Sequence, residues 1–127
     1  MKTDRNKLAN VLFDQIVHHD CYGIRRLIGD PPEVVLDIGA NCGVFSMYCR
    51  MLFPRARIIS VEPVSATFDM LTDNLKFYRC ELHNVALSHK NFVNIHLGRD
   101  SGSNSTIDVL EAESKEKIRG MIFLFIE

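Results

Sequence analysis

The sequence predicts an open α/β sheet, and three observations carry that prediction. Helical and strand patterns alternate along the chain. The segments "EVVLDI" and "RIISVE" are nearly unbroken apolar runs, as in parallel strands buried on both faces. Between the first of them and the next helix stands a turn of small residues, at the end of the strand where open α/β sheets bind ligands.

Leu8, Val11, Leu12 and Ile16 recur at helical spacing, so an amphipathic helix is expected over roughly residues 5–19. A connector follows and ends at Pro31 and Pro32, which cannot sit inside a helix. "EVVLDI" is the first strand. After Gly43, "VFSMYCRMLF" has helical length, and Pro54 stops it. "RIISVE" is the second strand. "SATFDMLTDNLKFY" places Phe68, Leu71, Leu75 and Tyr78 on one helical face. "LHNVALS" reads as a short third strand. "NFVNIHL" alternates Val93, Ile95 and Leu97 with Asn94 and His96, the pattern of a half-exposed strand. "GRDSGSNST" is a loop of turn formers, "IDVLEAESKEKIRG" is polar and ambiguous, and "MIFLFIE" reads as a strand. No repeat or linker interrupts residues 1–127, which form one domain.

Composition narrows the class. The 127 residues are 46% hydrophobic and 24% charged, ordinary for a globular chain. Fifteen basic residues balance sixteen acidic ones, for a formal charge of -1. There is no basic excess of the kind that grips nucleic acid, so no nucleic-acid partner is expected. The longest apolar run, "MIFLFI", is too short to span a bilayer, and "MKTDRNKLAN" lacks the apolar core of a signal peptide. No membrane partner is expected, and the default compartment is the cytoplasm.

Cys21, Cys42, Cys49 and Cys80 form no CxxC pair and have no zinc-like spacing with histidine. They read as structural thiols, and no metal is expected. His18 and His19 are adjacent, so on an α-helix they point about 100° apart and do not share a metal. They read as surface or boundary residues.

The turn "DIGANCG" carries the chemistry. Gly39 and Gly43 bracket it, and glycine serves where φ is positive or another group comes close. Asn41, between them, is among the few side chains that tolerate the left-handed region. Glu62 ends the second strand about twenty residues further on, where nucleotide-binding folds place a carboxylate for the ribose hydroxyls. Either feature alone is ambiguous: a glycine turn is often structural, and a glutamate at a strand end is usually just solvated. Together, on the first two strands of an α/β pattern, they favour an adenosine-type site. A dinucleotide fingerprint reads G-x-G-x-x-G and brings a pyrophosphate to a helix N-terminus. Here Asp37 stands two residues before Gly39. Its carboxylate repels a pyrophosphate and suits a cationic ligand. S-adenosylmethionine, with its ammonium and sulfonium groups, is therefore favoured over NAD.

The stretches "VLDIGANCGVFSMYCRMLFPRARIISVEP", "FDMLTDNLKFY", "HNVALS" and "GSNST" resemble the FkbM-type family of S-adenosylmethionine-dependent methyltransferases. The resemblance covers roughly residues 33–106. It implies a Rossmann-like class I methyltransferase sheet and O-methylation of a hydroxyl on a sugar or other natural product. It also implies that Asp37, Gly39, Asn41 and Gly43 line the methionine side, that Glu62 holds the ribose, and that Asn84 and Ala86 lie near the adenine. Ser105 falls in a segment that recurs in the family and receives no role. The family's sheet has seven strands, and its later part includes a K-I-D-x-E-G-like strand. This chain reaches "MIFLFIE" without such a motif, and Glu127 does not take that part. The expectation is a truncated sheet with an exposed apolar edge, open to self-association.

Transfer from a sulfonium to oxygen needs alignment above all, and positioning supplies up to roughly 7–11 kcal/mol. His83, His96 and Asp100 are the possible bases for the hydroxyl proton. Each reads better as an ordinary polar residue, so no catalytic residue is named. Three readings stand: a methyltransferase or its cofactor-binding part, a NAD-dependent oxidoreductase-like domain, and a non-catalytic methyltransferase-like remnant.

Overall fold

A computed structural model describes residues 2–87, 92–97 and 114–121. Among these residues, three α-helices and six strands follow in chain order: α1 (Lys2–Phe13), β1 (Val34–Ile38), α2 (Val44–Leu52), β2 (Arg57–Val61), α3 (Ser65–Leu75), β3 (Glu81–His83), β4 (Ala86–Leu87), β5 (Phe92–Leu97) and β6 (Ser114–Met121). β1, β2 and β3 form a parallel sheet in that order, with Val35 opposite Ile58, Asp37 opposite Ser60, and Ser60 opposite Leu82. This is the α/β sheet that the alternation of apolar runs and helical faces implies, a three-strand Rossmann-like fragment.

The first helix begins earlier than expected and changes pitch. α1 passes into a π-helical turn over Asp14–His18. Ile16 is buried and Leu12 packs beside it, whereas Val11 is exposed. Leu8's side chain lies outside the described residues. The wider turn also lets His18 and His19 both reach Asp14, at 3.1 and 3.3 Å, on the exposed side. Neighbours on a regular α-helix could not both do so. Arg25 anchors this segment: its Nε donates to the Tyr48 hydroxyl at 2.7 Å, and its guanidinium also donates to the carbonyls of Val17 and His18.

Burial on both faces of β1 is not observed among the described residues. Val35 and Asp37 are buried, but Val34 and Ile38 are 54% and 51% exposed. The reason is that the helices share one face. Val35 and Ile58 pack with Tyr48, Cys49 and Phe53 of the α2 region. Leu71 and Leu75 of α3 pack with Ala40 and Leu82. Leu82 lies in the cross-strand row of Asp37 and Ser60, so α2 and α3 cover the same side. As expected of α3, Phe68, Leu71 and Leu75 pack here; Tyr78 packs here too, but from the turn after the helix, which ends at Leu75 rather than running on to 78.

Arg50 of α2 closes the pole where β2 and β3 begin. Its guanidinium donates to the carbonyls of Tyr78, Pro54, Ala56 and Arg79 at 2.7–2.9 Å. One planar cation thus satisfies the ends of two turns.

The expected third strand divides. β3 ends at His83, whose carbonyl accepts the Glu62 N–H at 3.1 Å. Asn84 then spends its side-chain amide on the carbonyls of Glu62 and Pro63, at 2.9 and 3.1 Å, and the ladder stops. β4 joins a second sheet of order β4-β6-β5, in which β5 and β6 run antiparallel from Phe92 opposite Arg119 to Leu97 opposite Ser114. The ambiguous polar stretch thus supplies most of β6, and Met121 closes it. The expected loop at 98–106 and the remainder of "MIFLFIE" lie outside the described residues. No helix among the described residues is long and apolar enough to cross a membrane.

Candidate cofactor site

The turn after β1 is built from three left-handed residues in five positions: Gly39 (φ +76°), Asn41 (φ +51°) and Gly43 (φ +89°). It is tied to the neighbouring strand, because the N–H groups of Gly39 and Ala40 both donate to the Val61 carbonyl, at 2.8 and 3.0 Å. The Gly43 N–H closes it onto the Ala40 carbonyl at 2.9 Å. The two glycines do different work. A Cβ on Gly39 would meet no atom within 4 Å, so this position faces open space. A Cβ on Gly43 would stand 2.8 Å from Leu71 Cδ1 and 2.9 Å from Leu75 Cγ. Gly43 is therefore a packing residue, through which the start of α2 approaches α3.

A cleft of about 510 Å³ lies against the turn. Leu12, Ile16 and Tyr22 of the N-terminal segment form one wall, residues Leu36 to Asn41 another, and Val44 and Phe45 of α2 a third. Tyr22 and Phe45 meet edge to face, with ring centroids 5.3 Å apart. Of the site residues expected from the sequence, Asp37, Gly39 and Asn41 line this cleft. Gly43, Glu62, Asn84 and Ala86 do not.

Glu62 stands behind the turn and is only 5% exposed. Its Oε2 accepts the Asn41 N–H at 3.0 Å and its Oε1 accepts the Val64 N–H at 2.9 Å. One carboxylate thus ties the glycine turn to the start of α3. Asn84 lies one layer further back, on the Glu62 carbonyl, and Ala86 is buried. His83 is half-buried at the end of β3 and is not part of the cleft lining. The side chain of His96, together with Asp100, Ser105 and Glu127, lies outside the described residues.

Asp37 is 7% exposed, and its Oδ2 accepts the Ser46 hydroxyl at 2.5 Å. Burial pushes its carboxyl above the ordinary aspartate range, and the Ser46 hydroxyl and amide oppose that shift. The Ser46 hydroxyl also lies 2.7 Å from that of Ser60. The sequence reading missed both serines. Their signal was an isolated small hydroxyl inside an apolar helix and another inside an apolar strand.

The cysteines are free thiols. Burial raises Cys42 and Cys80, and pushes Cys49 up to about 12, so none of these three is set up as a thiolate nucleophile. No cluster of three metal donors occurs among the described residues.

Comparison with known proteins adds a chemical class. Residues of this chain are 36% identical over 67 positions to methyltransferase sdnD of Sordaria araneosa, covering 53% of this chain and 25% of that protein. Methyltransferase 1 of Beauveria bassiana is 33% identical over 66 positions, covering 52% and 24% respectively. The ribosomal RNA small subunit methyltransferase G of Lactococcus lactis subsp. cremoris is 28% identical over 116 positions, 91% of this chain and 46% of that protein. This chain is similar in sequence to these methyltransferases. It spans about a quarter of the first two relatives and less than half of the third. No protein-family model matches it. Among the described residues, the cleft beside Gly39 is lined by a buried carboxylate, an open glycine and apolar walls, with no lysine or arginine.

Proposed function

We propose that this chain carries the S-adenosylmethionine-binding part of a methyltransferase of the FkbM type, whose acceptor is a hydroxyl on a sugar or other natural product. The observation that carries the reading is the pairing of Asp37 with the open Gly39 position in one cleft. A cationic ligand fits a lining in which Asp37 supplies the one carboxylate among the described residues, and a pyrophosphate does not. When bound, S-adenosylmethionine supplies a methyl group already activated by its sulfonium.

The chain's own residues bind and orient. Asp37 faces the ammonium end. Gly39 lets the ligand approach the backbone, as a side chain there would prevent. Glu62 fixes the turn through Asn41, and the ribose is assigned to its side of the turn by the resemblance. Asn84 sets the Glu62–Pro63 backbone from behind. Leu12, Ile16 and Phe45 give the cleft its apolar walls.

Calorimetry tests the binding claim. S-adenosylhomocysteine is expected to bind and NAD is not. Heat with NAD alone would establish the dinucleotide alternative, and no heat with S-adenosylhomocysteine would remove the present one. Transfer of labelled methyl to a panel of hydroxylated acceptors then separates an enzyme from a remnant that binds cofactor and transfers nothing.

A further inference from the structure

We propose that Ser46 and Ser60 are positioning residues for Asp37: a buried chain of two hydroxyls that fixes where its carboxylate stands on the cleft wall. The inference rests on the cofactor reading of the cleft.

The two serines come from different elements, α2 and β2, and both are fully buried. Around them the layer is apolar, with Ile58, Leu71 and Cys49 equally enclosed. A hydroxyl in such a place is costly unless its proton and its oxygen are both used. The distances, 2.5 Å from Ser46 to Asp37 and 2.7 Å between the serines, use them in one direction. Ser46 has one proton and gives it to Asp37 Oδ2, so Ser60 must donate to Ser46. With Asp37 ionised, both hydroxyl protons are paired. If Asp37 donated its own proton into the chain, the order would reverse and the Ser60 proton would need an acceptor beyond it. The chain therefore holds Oδ2 as an acceptor and accommodates the charged carboxylate, the form that a cationic ligand requires.

Few other groups face Asp37. Cys49 on α2 and Cys80 just before β3 lie close enough to feel its charge, and burial keeps both as neutral thiols. Ser46 alone among its neighbours lowers the carboxyl against the desolvation that raises it. Removing that donor lets the carboxyl rise further.

The test is a carboxyl carbon-13 titration of the ligand-free protein, run on wild type, Ser46→Ala and Ser60→Ala. The Asp37 midpoint is expected to rise in Ser46→Ala and to rise less in Ser60→Ala, which keeps the direct donor. Each variant is taken forward only from protein with an intact melting transition, and the two substitutions lie on separate elements, so one misfolded variant leaves the other to decide. Affinity for S-adenosylhomocysteine is then followed against pH. In Ser46→Ala its decline on acidification should begin at a higher pH than in wild type, and the gap should close toward alkaline pH. Unshifted midpoints, or an affinity loss equal at every pH, would overturn the proposal. Absence of S-adenosylhomocysteine binding by wild type would count against the cofactor reading, and the ligand-free titration would still decide the role of the serines.

Discussion

Glu62 accepts the backbone N–H of Asn41 through one carboxylate oxygen and that of Val64 through the other. The acid at the end of β2 therefore shapes the glycine turn before any ligand arrives. Glu62→Ala removes both bonds, and cofactor binding should weaken by about 1.5–3 kcal/mol, the worth of hydrogen bonds to a charged group. Calorimetry with S-adenosylhomocysteine measures this. Glu62→Gln should fall between, since its amide nitrogen cannot accept. An affinity unchanged in Glu62→Ala would place the ligand elsewhere.

Gly39 and Gly43 should separate binding from stability. Gly39→Ala adds a methyl in open space at a left-handed φ, so it should cost about 1–2 kcal/mol of stability and lower ligand affinity. Gly43→Ala carries the same strain and drives its methyl into Leu71 and Leu75, adding about 1–3 kcal/mol of overpacking. Denaturant unfolding of both variants, beside calorimetry on Gly39→Ala, checks the contrast.

Asp37→Asn should stabilise the fold while abolishing ligand binding. A carboxyl whose folded-state pKa is raised holds its proton more tightly folded than unfolded. The wild type therefore loses stability as pH climbs from the unfolded value through the folded one. Asparagine has no such slope, so the variant should gain about 0.5–2 kcal/mol at neutral pH and little at acidic pH. Thermal melts across pH 3–8, a window of about five units around the aspartate range, read the difference.

Thiol labelling should follow burial. At mildly alkaline pH, Cys21, which is exposed, should react with iodoacetamide in the native state. Cys49, held protonated by a pKa near 12 and enclosed under α2, should not react until the protein unfolds. Mass spectrometry after timed labelling distinguishes them.

Much of the fold could be read from local pattern. Pro32 and Pro54 mark where helices cannot run; the apolar runs between them become β1 and α2, and the run after Pro54 becomes β2, within a residue or two of their expected ends. What escaped depends on partners distant in sequence. The one-sided cover of β1 follows from where α2 and α3 pack, which a run of valines does not disclose. The break after His83 follows from the Asn84 side chain reaching Glu62 and Pro63. At the site, the turn and its two acids were visible as residue types at a spacing. The division of labour between the glycines was not, because Gly43 is defined by leucines about thirty residues away on α3. Ser46 and Ser60 became meaningful only once a helix and a strand set them 2.7 Å apart.

The Arg50 clasp gives the molecule a mechanical asymmetry. The pole opposite the glycine turn is locked by a single flat cation, and a lysine there could reach one carbonyl but not span four. The two ends of the sheet are thus secured differently, one by a side-chain cation on four carbonyls and the other by the Glu62 carboxylate on two backbone N–H groups.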